Sequence, residues 1–246
     1  MKLPISYGRQ YISDGDIQAV VETLKSDYLT CGPKIPEFEQ AFCEYVHAKY
    51  SVAVCNATAA LHIAAMALGV KEGDNVICTP MTFASSANCI RFCGGNVKFV
   101  DIDPETYLLD INKLKEILST APKGTYKGMV LVDFAGYPHN MEEYRKVADE
   151  YGMWILEDAC HAPGAYFIDS TGERVYCGCG KYSDITVFSF HPVKHITTGE
   201  GGMACTQNKE YYEKMALYRT HGITHEAEKL QREDGLWYYE MQELGY

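Results

Sequence analysis

The stretch GMVLVDFAGYPHNMEEYRKVADEYGMWILEDAC, residues 128–160, decides the fold. Residues 128–134 are a nearly unbroken apolar run, the pattern of a strand buried on both faces. Residues 141–152 read as a helix stopped by a glycine. Residues 153–160 are a second buried strand, in which Asp158 follows the run MWILE. The same alternation extends in both directions. Helices are predicted over 14–28, 36–48, 56–69, 82–94, 111–118 and 209–222. Strands are predicted over 51–56, 74–80, 96–103, 184–190 and 201–206. Strand and helix taking turns, with continuous rather than alternating apolar strands, predicts an α/β fold. Its sheet is mostly parallel, with helices on both faces.

Composition narrows the function. The chain has 246 residues, is 47% hydrophobic and carries a net charge of −11. It can bury a sizeable core, and its acidic balance without a basic run argues against a nucleic-acid partner. No stretch approaches the ~18 apolar residues of a membrane span, and the first residues lack the apolar run of a secretory signal. The ten cysteines are scattered, which fits reduced thiols in a cytoplasmic protein better than a disulfide framework. Cys160 with His161, His191 and His195 matches no standard metal-ligand spacing, so no metal is expected.

In such sheets ligands bind beyond the carboxyl ends of the strands. Five predicted strand ends carry chemistry. Asn56-Ala57-Thr58-Ala59-Ala60 is a turn of small residues before a helix, where backbone N–H groups can approach an anion. Met81-Thr82-Phe83 brings an aromatic ring. Ala135-Gly136-Tyr137-Pro138 follows the third. Asp158 leads into Cys160 and His161. The last strand runs through FSFHPVKHITTGEGG, residues 188–202, and delivers Lys194 ahead of a glycine-rich turn. Singly, each has a plainer reading: a tight turn, a core ring, a helix cap, a solvated lysine. Together, a lysine, a carboxylate and an anion seat on one edge match the needs of pyridoxal 5'-phosphate. The lysine forms a Schiff base with its aldehyde, and the carboxylate keeps its ring nitrogen protonated.

SFHPVKHITTGEGG, WILEDACHAPGA, NATAALHIA and YLTCGPKIPEFE together resemble the DegT/StrS group of sugar aminotransferases. The likeness covers almost the whole chain. Within the group, YGRQYI, MTFASSANCI and WYYEMQELGY are most similar to enzymes of the pseudaminic acid pathway.

The resemblance implies the aspartate aminotransferase fold (fold type I) and transfer of an amino group from glutamate to the 4-keto carbon of a UDP-linked 6-deoxy-N-acetyl sugar. It implies a homodimer with a shared active site. It assigns Lys194 as Schiff-base lysine and proton shuttle, and Asp158 as partner of the ring nitrogen. Thr58, Ser189 and the backbone of Ala57 and Ala59 seat the phosphate, Phe83 stacks on the ring and His161 orients the cofactor. Thr30, Gly32, Pro33 and His191 lie on the substrate side. On this reading residues 1–246 are the large cofactor-binding domain with an N-terminal arm, and the family's small C-terminal domain is absent. Three alternatives stay open: an inactive or regulatory fragment that binds the cofactor, an aminotransferase for another nucleotide-linked keto sugar, and a Schiff-base aldolase. A dehydratase of this group carries histidine where Lys194 stands.

Overall fold

The computed structural model describes residues 8–232, 235 and 237–246. Most of the expected N-terminal arm, including Tyr7 of YGRQYI, lies outside the described residues. Helices α1 (Asp14–Lys25) and α2 (Lys34–Val46) come first. Then β1 (Tyr50–Val54), α3 (Ala57–Ala67), β2 (Asn75–Cys78), α4 (Ser85–Phe92), β3 (Asn96–Phe99), α5 (Ile111–Thr120), β4 (Tyr126–Val132), α6 (Met141–Tyr151) and β5 (Trp154–Asp158) alternate. A hairpin of β6 (Tyr166–Ile168) and β7 (Arg174–Tyr176) precedes β8 (Ile185–Ser189), β9 (Gly202–Thr206) and α7 (Lys209–Tyr218). The short strands β10 (Ile223–Thr224) and β11 (Glu240–Met241) pair with each other.

Local chemistry fixes the helix ends. Ser13 and Asp16 form a reciprocal capping box at α1, and Asn56, Asp110 and Asn208 accept backbone N–H bonds at the starts of α3, α5 and α7. Gly152 ends α6 in the left-handed region, at φ +67°, where a residue without Cβ carries no steric penalty.

Seven strands form one sheet in the order β1-β9-β8-β5-β4-β2-β3. All run parallel except β9, which is antiparallel to both neighbours. The first residue of β9, Gly202, therefore lies at the edge where β1 and β8 end, opposite Val54 and Ser189. One face of the sheet packs Val130, Leu156 and Val187 under α3, α4 and α7. The other packs Met129, Leu131 and Ile155 under α5 and α6, and Phe188, Met203 and Cys205 under α2. Burying each such side chain is worth roughly 1.5–3 kcal/mol, and this two-sided burial is why β4, β5 and β8 read as continuous apolar runs.

Some boundaries differ from the sequence reading. The helix expected from residue 82 starts at Ser85, because 82–84 form the turn that carries Phe83 outward. The helix expected to reach residue 28 stops at Lys25, and α1 buries none of its residues: Ile17, Val20 and Leu24 are all exposed. The two small strand pairs were not anticipated.

Candidate functional site

A cavity of about 440 Å³ opens at the carboxyl edge of the sheet, lined from β1/α3, β2/α4, β4, β5 and the chain after β8. Its first wall is the start of α3. Asn56 is extended (φ −167°) and its Oδ1 accepts the Ala59 N–H at 2.9 Å. Ala57 and Thr58 face the cavity, and Thr58 Oγ1 lies 2.7 Å from Ser85 Oγ. The start of β9 packs directly behind this turn. A Cβ on Gly202 would lie 2.5 Å from the Asn56 carbonyl carbon and 2.6 Å from the Ala57 nitrogen, so only glycine fits there.

The lysine loop is closed on itself. Phe190 N–H donates to the Gly201 carbonyl at 2.9 Å, and the Phe190 carbonyl accepts from Thr198 N–H at 3.0 Å and Thr197 Oγ1 at 2.9 Å. Gly199, at φ +81°, makes the reversal. Within this frame the Lys194 N–H donates to the His191 carbonyl at 2.9 Å. That turn places Lys194 in the cavity wall with His191 and Val193. The glycines of 199–202 thus serve two ends: one turns the chain, and one lets β9 pass beneath the α3 turn.

Asp158 ends β5 and is buried, 5% exposed. Its Oδ2 accepts from Ser86 Oγ on α4 at 2.5 Å, and its Oδ1 accepts from the Cys160 N–H at 3.3 Å. Ser189, at the end of β8, is also nearly buried and lines the cavity. Phe83 is 76% exposed at the cavity mouth, which excludes the core reading of its ring. His161 is half-buried, with its ring centroid 6.4 Å from that of Phe134. Burial first, and then the charge of Lys194, hold its pKa below the usual imidazole value.

The structure therefore brings Lys194, Asp158, Ala57, Thr58, Ser189, Phe83, His161 and His191 to one cavity. Ala59 is not on its wall, and its N–H donates to the Asn56 side chain that caps α3. Thr30, Gly32 and Pro33 do not reach it either. They sit in the turn between α1 and α2, where Cys31 adopts φ +53° and Thr30 and Pro33 are exposed. Sequence reasoning missed Thr82, Ser85 and Ser86. The hydroxyl run within TFASSAN was the available signal, at the same predicted strand end as Phe83.

Beside the cavity lies a second acid cluster, of which Asp133 is on the cavity wall and Glu157 and Cys177 are not. Asp133, Glu157 and Cys177 are all buried, with ligand-type atoms within 4.8 Å of one another. Glu157 accepts from Thr186 Oγ1 at 2.6 Å and Ser183 Oγ at 3.0 Å. Asp133 Oδ1 meets His139 Nδ1 at 2.9 Å and also accepts the His139 backbone N–H at 3.0 Å. Burial, then the facing Asp133, pushes the Glu157 carboxyl up to about 8. Burial raises Asp133 to about 7 and lowers His139 to about 4.

The geometry has counterparts among known proteins. The model of the DegT/DnrJ/EryC1/StrS aminotransferase family matches residues 10–245. A UDP-4-amino-4,6-dideoxy-N-acetyl-beta-L-altrosamine transaminase of Campylobacter jejuni is 40% identical over 98% of this chain and 60% of its own length. The solved structure of Helicobacter pylori PseC, an aminotransferase involved in the biosynthesis of pseudoaminic acid, superposes with a TM-score of 0.85. It is 29% identical, over 98% of this chain and 60% of that one. Streptococcus pneumoniae Spr1654 in its PMP form gives a TM-score of 0.84 at 28% identity, over 99% of this chain and 63% of that one. The chain thus spans about 60% of the length of the curated relatives it matches.

Proposed function

Because the chain belongs to the DegT/DnrJ/EryC1/StrS aminotransferase family, we propose that it is the large, cofactor-binding domain of a nucleotide-sugar aminotransferase that uses pyridoxal 5'-phosphate. The sugar proposed is a UDP-linked 4-keto-6-deoxy-N-acetylhexose of the pseudaminic acid type, and the donor is glutamate. The observation that carries the reading is the convergence of Lys194, Asp158 and the α3 N-terminus on one cavity. The donor set fits the cofactor. Thr58 and Ser189 supply hydroxyls beside helix amides for a phosphate. Exposed Phe83 offers a ring face. Gly202, lacking a Cβ, lets β9 pass directly beneath that seat.

When bound, pyridoxal 5'-phosphate supplies an aldehyde carbon that takes up an amine and a cationic ring that draws in electron density. The protein does the rest. Lys194 Nζ would hold the cofactor through its aldehyde carbon and, once the donor amine displaces it, would take the proton from the donor's α-carbon in one half-reaction and supply a proton to the sugar carbon in the other. Asp158 would keep a proton on the ring nitrogen. Thr58, Ser189 and the α3 amides would hold the phosphate, and Phe83 would cover one ring face. His161, whose pKa burial and then Lys194 lower, would orient the ring.

The proposal extends to a homodimer with a shared active site and a cytoplasmic location. The ten cysteines are all unpaired thiols, which suits a reducing compartment. No helix among the described residues is long and apolar enough to cross a membrane. The test is to add pyridoxal 5'-phosphate to the purified chain, record the visible Schiff-base absorbance, reduce with borohydride and map the modified peptide. A label on Lys194 is expected, and a folded chain without one overturns the reading. Incubating a loaded sample with glutamate and UDP- or TDP-linked 4-keto sugars then tests the sugar. Amination of the TDP sugar alone would replace the pseudaminic-type substrate.

A further inference from the structure

Ser86 lies in the first turn of α4, is fully buried at 0% exposure, and its side chain reaches Asp158 across the gap between helix and sheet. The Ser86 Oγ to Asp158 Oδ2 distance is 2.5 Å, the short end of the range for a hydroxyl on a carboxylate. Ser86 has one hydroxyl proton, and Asp158 takes it. The contact of 2.7 Å between Thr82 Oγ1 and Ser86 Oγ must then have Thr82 as donor. Thr82 lines the cavity while Ser86 does not. The three groups make a one-way hydroxyl chain from the cavity wall to the carboxylate at its floor.

We infer that Ser86, backed by Thr82, is a positioning residue for Asp158. It fixes the rotamer of the carboxylate and takes one lone pair of Oδ2, so that the remaining lone pairs face the cavity where a cationic ring N–H binds. This rests on the cofactor reading above. The bond crosses from α4 to β5, so it also sets how far the turn carrying Phe83 stands from Asp158, three residues from Ser86 along the chain. Ring face and ring nitrogen are thereby gripped by one element. The Cys160 N–H on Oδ1, at 3.3 Å, is longer and comes from a backbone that β5 already holds, so Ser86 supplies the stronger restraint.

The test uses the whole chain in five forms: wild type, Ser86→Ala, Ser86→Thr, Asp158→Asn and the double variant Ser86→Ala/Asp158→Asn. Two quantities are read: the dissociation constant for pyridoxal 5'-phosphate by absorbance titration, and the urea unfolding constant without cofactor. Ser86→Ala is expected to weaken cofactor binding about ten-fold, the scale of one hydrogen bond to a charged group. Ser86→Thr keeps the hydroxyl and should stay within about two-fold. On the Asp158→Asn background, Ser86→Ala should add little to the cofactor loss, and the urea effects should be non-additive. Additive urea effects, or an unchanged dissociation constant in Ser86→Ala, overturn the inference. If wild type binds no cofactor, the cofactor reading fails by itself. A non-additive urea cycle would then leave the pair as purely structural, which also refutes a positioning role.

Discussion

Glu157 and Asp158 are neighbours on β5, chemically alike and both buried, yet strand alternation sends them to opposite faces of the sheet. Asp158 faces α4, accepts one hydroxyl and one backbone N–H, and opens into the cavity. Glu157 faces the other layer, accepts two hydroxyls and looks at a second carboxyl, Asp133. Asp158 opens into the cavity, whereas Glu157 does not line it and faces a second carboxyl. The difference teaches that burial does not define a carboxylate's role here; what defines it is whether a partner of opposite charge can reach it.

The largest effect should come from breaking the open side. Asp158→Asn keeps the shape but removes the charge that accepts the Ser86 hydroxyl and, on the proposed reading, would hold the ring proton. Amino transfer should fall about 10²–10³-fold or more, with the circular dichroism unchanged and cofactor still bound. Near-normal turnover in Asp158→Asn would show that Asp158 is no more functional than Glu157. The same substitution tested against Lys194→Ala separates the roles, because only Lys194→Ala should abolish the borohydride-fixed label.

The closed side should announce itself through pH. The folded-state pKa of Glu157 is raised to about 8 and that of Asp133 to about 7, both by burial first. A carboxyl raised on folding lends stability that is complete at low pH and is lost as pH climbs through the folded value. His139 acts oppositely: depressed to about 4, it makes stability rise between that value and the ordinary imidazole range near 6.5, and is spent above it. From pH 6.5 to 8, then, the acid pair governs alone. Urea unfolding should show stability falling there by about 1.4 kcal/mol per pH unit for each proton that the folded state still holds and the unfolded state has released, and levelling above the folded values of about 7 and 8. Glu157→Gln copies the protonated form, so its stability curve should be flatter and rise progressively above wild type between the ordinary carboxylate value near 4.5 and the folded value of about 8. Parallel curves would mean the pair is not proton-loaded.

How much of this could be read from the sequence follows from the same contrast. The buried strands were legible because two-sided burial writes itself as runs such as MVLV and TVF. Lys194, Asp158, Thr58 and Phe83 were legible because strand ends in such a sheet share one edge. The direction of β9 was not, since an apolar run carries no polarity, and only Gly202 hinted at the close pass beneath α3. The hairpin of β6 and β7 has strands of three residues each, too short for any period to register. Ser86 looked like an ordinary residue of a helix's first turn, and its partner is 72 positions away. The cluster of Asp133, Glu157 and Cys177 was hidden for the same reason: each residue sits at the end of a different element. Thr30, Gly32 and Pro33 came from the resemblance alone, and within this chain nothing folds them onto the cavity.

The smallest effect sharpens the comparison most finely. Thr186 Oγ1 gives Glu157 its shortest hydrogen bond, 2.6 Å, much as Ser86 does for Asp158. Thr186→Val preserves volume and removes that donor, leaving Ser183 to serve the carboxyl. Stability should drop by about 1 kcal/mol, read as a lower urea midpoint. The dissociation constant for pyridoxal 5'-phosphate should not move, because Glu157 lies on the other face of β5 and does not line the cavity. Ser86→Ala should do the reverse in proportion: a modest stability loss and a clear binding loss. Two buried hydroxyls, each on one of two adjacent acids, would then be told apart by function alone. If Thr186→Val weakened cofactor binding as much as Ser86→Ala, the two faces of β5 would be coupled through the backbone, and the division between an open and a closed acid would have to be given up.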